Sequence, residues 1–124
     1  MITSETKTIG LIGNPVEHSV SPDMHNAAFE ELGLDYVYLT FKVEKDFVKE
    51  ALAGLKGLEI VGVNVTIPHK SAVMEHLDEI DQIARQIGAV NTIKREDHRL
   101  KGYNTDGKGA LRALKEKVGN IEEK

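Results

Sequence analysis

The chain has 124 residues, 16 Lys and Arg against 20 Asp and Glu for a formal net charge of −4, 40% hydrophobic residues and no cysteine. That length suits one globular domain, and the lack of thiols excludes disulfides, thiolate nucleophiles and cysteine-held metals. Scattered basic residues leave no footprint for nucleic acid, no segment approaches the ~18 apolar residues of a membrane span, and the polar start MITSETKT is no secretory signal. A cytoplasmic enzyme or binding domain is expected, and an anionic small ligand remains compatible with the acidic balance because a local site can be positive.

Residues 1–7 read as a flexible tail. TIGLIG (8–13) is an apolar run ending in glycine and predicts a buried strand. The turn-rich GNPVEHSVSP follows, with Ser21 and Pro22 placed as N-cap and first residue of a helix. Met24, Ala28 and Leu32, with Phe29 alongside, form its apolar stripe, and Gly33 ends it. DYVYLTFKV (35–43) predicts a strand, and Phe47, Val48, Ala51, Leu52 and Leu55 an amphipathic helix over 45–56. IVGVNVT (60–66) predicts the third strand. Pro68 opens a helical stretch, and Leu77, Ile80, Ala84 and Ile87 mark the apolar face of the helix after it. AVNTIKR (89–95) and RLKGYNTD (99–106) flank a polar turn as a hairpin. Leu111, Leu114 and Val118 stripe a final helix.

Alternation of strands and helices predicts an α/β fold, a three-layer α/β/α sandwich around a mixed, mainly parallel sheet, with the hairpin supplying the antiparallel part. In such sheets ligands sit beyond the carboxyl ends of the strands. Polar clusters fall there: Ser19 and Ser21; Asn64, Thr66 and Lys70; Asn91 and Thr92; and Asn104, Thr105 and Asp106. Each has a structural and a functional explanation. Ser21 serves as an N-cap, or with Ser19 as a carboxylate cradle at a helix N-terminus. Asn64 is paired to nearby backbone or faces a ligand, because an unpaired buried amide costs roughly 1–3 kcal/mol. Thr66 caps the helix begun by Pro68 or faces the same ligand. Lys70 is solvated or transfers a proton. Asp106 caps the last helix or holds Lys70 in its charged form. Asn91 is a further polar residue in an apolar strand. Histidines at 18, 25, 69, 76 and 98 show no metal-ligand spacing, so no metal is expected, and GLIGNP is no dinucleotide fingerprint.

The segments IGLIGNPVEHSVSPDMHNAAF, VGVNVTIPHK, IGAVNTI and GYNTDG, in that order, resemble the shikimate dehydrogenase family from residue 8 onward. The resemblance implies NADPH-dependent reduction of 3-dehydroshikimate to shikimate, in aromatic amino acid biosynthesis. It implies that Ser19 and Ser21 bind the substrate carboxylate, that Asn64, Asn91 and Asp106 bind ring hydroxyls, and that Thr66 lines the site. Lys70, paired with Asp106, is implied as the catalytic proton donor, and retention of Ser21 favours shikimate over quinate. Members of the family carry a Rossmann-type NADP domain after this one. Residues 8–106 are thus expected to be a substrate-binding catalytic domain and 107–124 a connector helix to an NADP-binding domain absent here, with no cofactor site in this chain and no turnover by the chain alone. The expected partner is the substrate itself; a homodimer is a candidate assembly, and neither nucleic acid nor membrane is expected. The alternative is a standalone, non-catalytic binding module for a shikimate-like hydroxy acid, against which retention of Lys70 and Asp106 speaks. Dehydrogenases acting on methylene-tetrahydrofolate, which have a related substrate domain, fit the paired serines less well.

Overall fold

Leu11 and Ile12 are neighbours in one strand, yet each packs into a different hydrophobic cluster. Side chains alternate across a strand, so helices must cover both faces of this sheet. The computed structural model describes residues 2–17 and 19–106. The connector helix expected over 107–124, with Leu111, Leu114 and Val118, lies outside the described residues, as does His18.

The described elements are β1 (Lys7–Gly13), α1 (Ser21–Leu32), β2 (Tyr36–Lys42), a 3₁₀ turn (Lys45–Phe47), α2 (Val48–Gly57), β3 (Gly62–Val65), a second 3₁₀ turn (Ala72–His76), β4 (Glu79–Ile80), α3 (Gln82–Ile87), β5 (Thr92–Glu96) and β6 (Arg99–Tyr103). The sheet order is β2-β1-β3-β5-β6-β4. β1 pairs in parallel with β2 and β3, and β4 with β6; β5 runs antiparallel to β3 and β6. The sheet is thus mixed, as the alternation and the hairpin implied. From β1 the chain steps to β2 on one side, then back over β1 to β3. Right-handed crossovers in opposite directions place their helices on opposite faces. Val48, Leu52 and Leu55 of α2 accordingly pack with Ile12, Val63, Val65 and Ile93, while Phe29 of α1 packs beside Leu11 and Tyr38 on the other face.

Several local expectations are corrected. The Met24–Ala28–Leu32 stripe does not face the core: α1 has no buried residue, and Met24 is 66% exposed. The helix is instead turned to dock Asn26 on the backbone of Tyr38 and His25 on its ring. Phe47 lies in the 3₁₀ turn and is exposed. Pro68 does not open a helix; it follows a cis peptide bond in a turn. Leu77 and Ile80 are not on a helix either, because the segment is drawn into the sheet. Asp78 N–H donates to Leu100 O, Leu100 N–H returns to the Asp78 carboxylate, and Glu79 and Ile80 pair with β6. The helix starts only after Asp81, whose carboxylate accepts from Ile83 N–H at 3.1 Å as an N-cap. Residues 3–6, expected to be loose, form a turn tied down by Thr6 Oγ1 donating to Asp35 at 2.7 Å, and Lys7 already belongs to β1. Among the described residues no helix is long and apolar enough to cross a membrane.

Asp78 links three elements, accepting from Leu100 N–H at 2.7 Å and Lys56 Nζ at 3.1 Å. The Leu100 N–H, then the Lys56 ammonium, hold its carboxyl below the usual range. A lowered folded-state pKa adds stability above the unfolded-state value, and that stability is lost as pH falls through the folded value. Wild type should therefore lose thermal stability below about pH 4 more steeply than Asp78→Asn, checked by melting curves between pH 7 and 2. Leu52→Ala, which opens a cavity under α2, should cost about 2–5 kcal/mol by urea denaturation.

Candidate functional site

The candidate polar residues converge through strand direction. Parallel β1 and β3 end on the same side of the sheet, at Gly13 and Val65. Because β5 is antiparallel, its N-terminal end arrives there, with Thr92 opposite Asn64. β6 reverses once more, with Tyr103 opposite Thr92, so Asn104, Thr105 and Asp106 leave from that side too. Backbone bonds stitch the ends together. Val65 N–H donates to Asn91 O at 2.8 Å, Asn91 N–H to Tyr103 O at 2.9 Å, and Val90 N–H to Lys70 O at 2.8 Å. On the β1 side, Thr66 N–H donates to Ile12 O at 3.0 Å and Asn14 N–H to Ile67 O at 3.2 Å. Gly13 permits this approach, since a Cβ there would collide with the Thr66 methyl.

The side chains form a chain of neutral hydrogen bonds across three strands. Tyr38 Oη donates to Asn64 Oδ1 at 2.9 Å, and Asn64 Nδ2 lies 3.4 Å from Thr92 Oγ1. Thr92 Oγ1 donates to Asn91 Oδ1 at 3.0 Å, and Asn91 Nδ2 donates to Thr105 Oγ1 at 3.0 Å. Asn64 is thus paired with side chains, not with backbone. Burial pushes the Tyr38 phenol above its ordinary pKa, while the nearby Ser21 hydroxyl opposes the rise. Tyr38 was not among the residues singled out from the sequence, and Thr92 and Thr105 were noted only as parts of clusters. Tyr38 sits in mid-strand, where an aromatic reads as core; only the side-chain spacing across β2, β1 and β3 reveals that its hydroxyl reaches a polar partner.

The two serines divide their roles differently from the expectation. Val20 occupies the N-cap of α1 and makes no side-chain cap; Ser21 is the first helical residue. Ser19 Oγ accepts from Ser21 N–H at 3.1 Å. Thr66 caps no helix, its carbonyl instead accepting from His69 N–H at 3.1 Å. Lys70 is half-buried in the turn after Pro68, held through its carbonyl by Val90. Asp106 is exposed beside Thr105, and Lys70 and Asp106 form no ion pair in this structure. Preceding Lys70, His69 is fully buried, its Nε2 against Val43 O and its Nδ1 without a partner. Asn104 is 6% exposed and donates to Ala89 O, bracing the same loop.

An open groove of about 360 Å³ runs along the network, lined by Ile9, Gly62, Asn64, Thr92, Tyr103 and Thr105 among others. Among the described residues no group of three or more His, Cys, Asp or Glu side chains could hold a metal ion. Nor do the glycines of β1 form a phosphate cradle. Gly10 makes room for the Phe41 ring and Gly13 for Thr66, both side-chain packing roles.

Comparison with known proteins accords with this geometry. Residues 11–93 match the family model described as the shikimate dehydrogenase substrate binding domain. The chain is 59% identical over its full length to a shikimate dehydrogenase (NADP(+)) of Methanocaldococcus jannaschii, of which it covers 44%. A crystal structure of a shikimate dehydrogenase in complex with NADP+ superimposes with a TM-score of 0.86 at 60% identity, over 98% of this chain and 42% of that one. Another, from Listeria monocytogenes in complex with shikimate and NAD, gives 0.85 at 46% identity, over 97% of this chain and 42% of that one. The chain thus spans under half the length of these relatives. Over that span, its strand-end loops, the stitched backbone between them and the family match agree: the chain belongs to the shikimate dehydrogenase family and corresponds to its substrate-binding domain.

Proposed function

We propose that this chain supplies the substrate-binding and proton-transfer part of an NADP-dependent shikimate dehydrogenase, a cytoplasmic enzyme reducing 3-dehydroshikimate to shikimate. The observation that carries the proposal is the convergence of Ser19, Ser21, Asn64, Thr66, Lys70, Asn91 and Asp106 on one side of the sheet, on loops joined by backbone hydrogen bonds. The cofactor of that reaction supplies the hydride.

What this chain contributes follows from its own groups. The hydroxyls of Ser19 and Ser21 and the N-terminal end of α1 favour an anion, suiting them to the substrate carboxylate. Asn64 and Asn91 are amides held in hydrogen-bonded positions, suited to ring hydroxyls. As the ketone becomes an alcohol, negative charge grows on its oxygen. Lys70 donates a proton to that oxygen, with Asp106 closing on the ammonium once ligand is present. In the reverse direction Lys70 accepts the hydroxyl proton.

A second function, a binding module without catalysis, is favoured by the unpaired state of Lys70 and Asp106. Titration of the 124-residue chain with shikimate, followed by NMR, separates the two. The enzyme reading expects amide shifts at Ser19, Ser21, Asn64 and Asn91, none on adding NADP, and at least ~10-fold weaker binding for Lys70→Ala, the loss of about one charged hydrogen bond. Unchanged affinity in both Lys70→Ala and Asp106→Ala selects the binding module, and no response of wild type at tens of millimolar rejects a preformed substrate site. The serines are separable by stability: Ser19→Ala removes the acceptor for Ser21 N–H and should cost about 1 kcal/mol in urea denaturation. Ser21→Ala, which leaves that bond in place, should cost less than Ser19→Ala while weakening shikimate binding.

A further inference from the structure

Tyr38 lies on β2, two strands away from Asn64 on β3, and is 1% exposed. Its surroundings hold it on every side. Asn26 of α1 accepts from Tyr38 N–H at 2.7 Å and donates to Tyr38 O at 3.0 Å, so a single amide side chain takes the place of a further strand at the sheet edge. His25 stacks on the ring at 4.3 Å with planes 14° apart. The phenol crosses above β1 and donates to Asn64 Oδ1 at 2.9 Å.

We propose that Tyr38 is a positioning residue of the substrate site, setting which end of the Asn64 amide is presented to ligand. The inference rests on the substrate-site assignment above. A carboxamide has one acceptor end and one donor end, and rotation by half a turn exchanges them. Burial keeps the Tyr38 phenol protonated, hence a donor, across the physiological range. The end of Asn64 beside it must then be oxygen, which turns Nδ2 toward Thr92 Oγ1. Thr92 in turn spends its one hydroxyl hydrogen on Asn91 Oδ1, so the series of donors runs one way, Tyr38 to Asn64 to Thr92 to Asn91. Asn64 Nδ2 has a second hydrogen with no partner among the described residues, which is the donor a ligand hydroxyl would meet. Without the phenolic donor only the 3.4 Å contact with Thr92 opposes inversion of the amide, and the site would offer acceptor in place of donor.

The test is Tyr38→Phe in the 124-residue chain, read in two ways. The first is the NMR signal of the Asn64 side-chain amide without ligand. It should shift and exchange with solvent at least ~5-fold faster, while backbone amides away from β2 and β3 stay in place, a pattern general loosening of the fold does not produce. The second is shikimate affinity, expected to fall ~10-fold, the loss of about one hydrogen bond. Tyr36→Phe, on the same strand with its ring against Phe29, should change neither. An unchanged Asn64 signal in Tyr38→Phe overturns the proposal, as does unchanged shikimate affinity where wild type binds. The first readout needs no ligand, so a wild-type chain that fails to bind shikimate rejects the substrate assignment while Tyr38 is still decided. If Tyr38→Phe does not fold, Asn64→Leu reads the bond from the other end: the Tyr38 Cζ carbon shift must move when its acceptor is removed, and an unmoved shift overturns the assignment.

Discussion

The constraint on which the rest depends is the place of β1 between two parallel neighbours. All seven of its residues are in register with β2, and Ile9 to Ile12 with β3. Parallel pairing sends three carboxyl ends to one side, and the crossovers that parallel strands require put α1 and α2 on opposite faces. The loops after β1 and β3 then meet beside one another, which needs a residue without a side chain where Gly13 faces the Thr66 methyl. The ligand crevice of open α/β sheets arises at such a reversal of strand order. The hairpin of β5 and β6 extends the same side with Asn91, Thr92, Thr105 and Asp106, because two antiparallel steps restore the direction of β3.

Within that frame Tyr38, Asn64, Thr92 and Asn91 form a neutral set paired to one another. Each of Tyr38, Asn64, Thr92 and Asn91 would cost roughly 1–3 kcal/mol if buried unpaired, and each finds a side-chain partner on a neighbouring strand or loop. Such a network orders its members and limits their rotamers. The charged groups are arranged otherwise. Lys70 and Asp106 stand apart, held through neighbouring backbone, in positions where a ligand could bring them together. The loop carrying Lys70 is fixed from beneath by His69, buried against Val43 O. Orientation is thus built into the unliganded domain, while the proposed proton transfer is completed on binding.

The glycines make the same division between packing and chemistry. In β1 they accommodate Phe41 and Thr66, and Gly62 in β3 brings the Ile93 carbonyl so close that a Cβ would meet it at 2.7 Å. These are close-packing devices of a sheet core. Gly10, Gly13 and Gly62 therefore serve the packing of the sheet.

Much of this was legible in the chain itself. Apolar runs of β-branched residues marked β1, β2 and β3, their alternation with helical segments implied an α/β sheet, and polar residues at strand ends pointed to Ser19, Ser21, Asn64, Thr66, Lys70, Asn91 and Asp106. Local rules found these strands because strand periodicity is a local property of the chain. They failed where distant backbone overrode periodicity: Leu77 and Ile80 fit a helix until β6 offers Asp78 and Glu79 a place in the sheet, and the Met24 stripe fits a core until Asn26 and His25 dock on Tyr38. The amino-acid sequence by itself determined which polar residues fall at strand ends and roughly where strands begin and end. Only the tertiary structure decided that the Tyr38 phenol reaches Asn64, that Ser19 rather than Ser21 accepts the helix-start N–H, and that the Asn64 amide is paired to side chains, because a hydrogen bond between β2 and β3 depends on strand order and register, which no local pattern encodes.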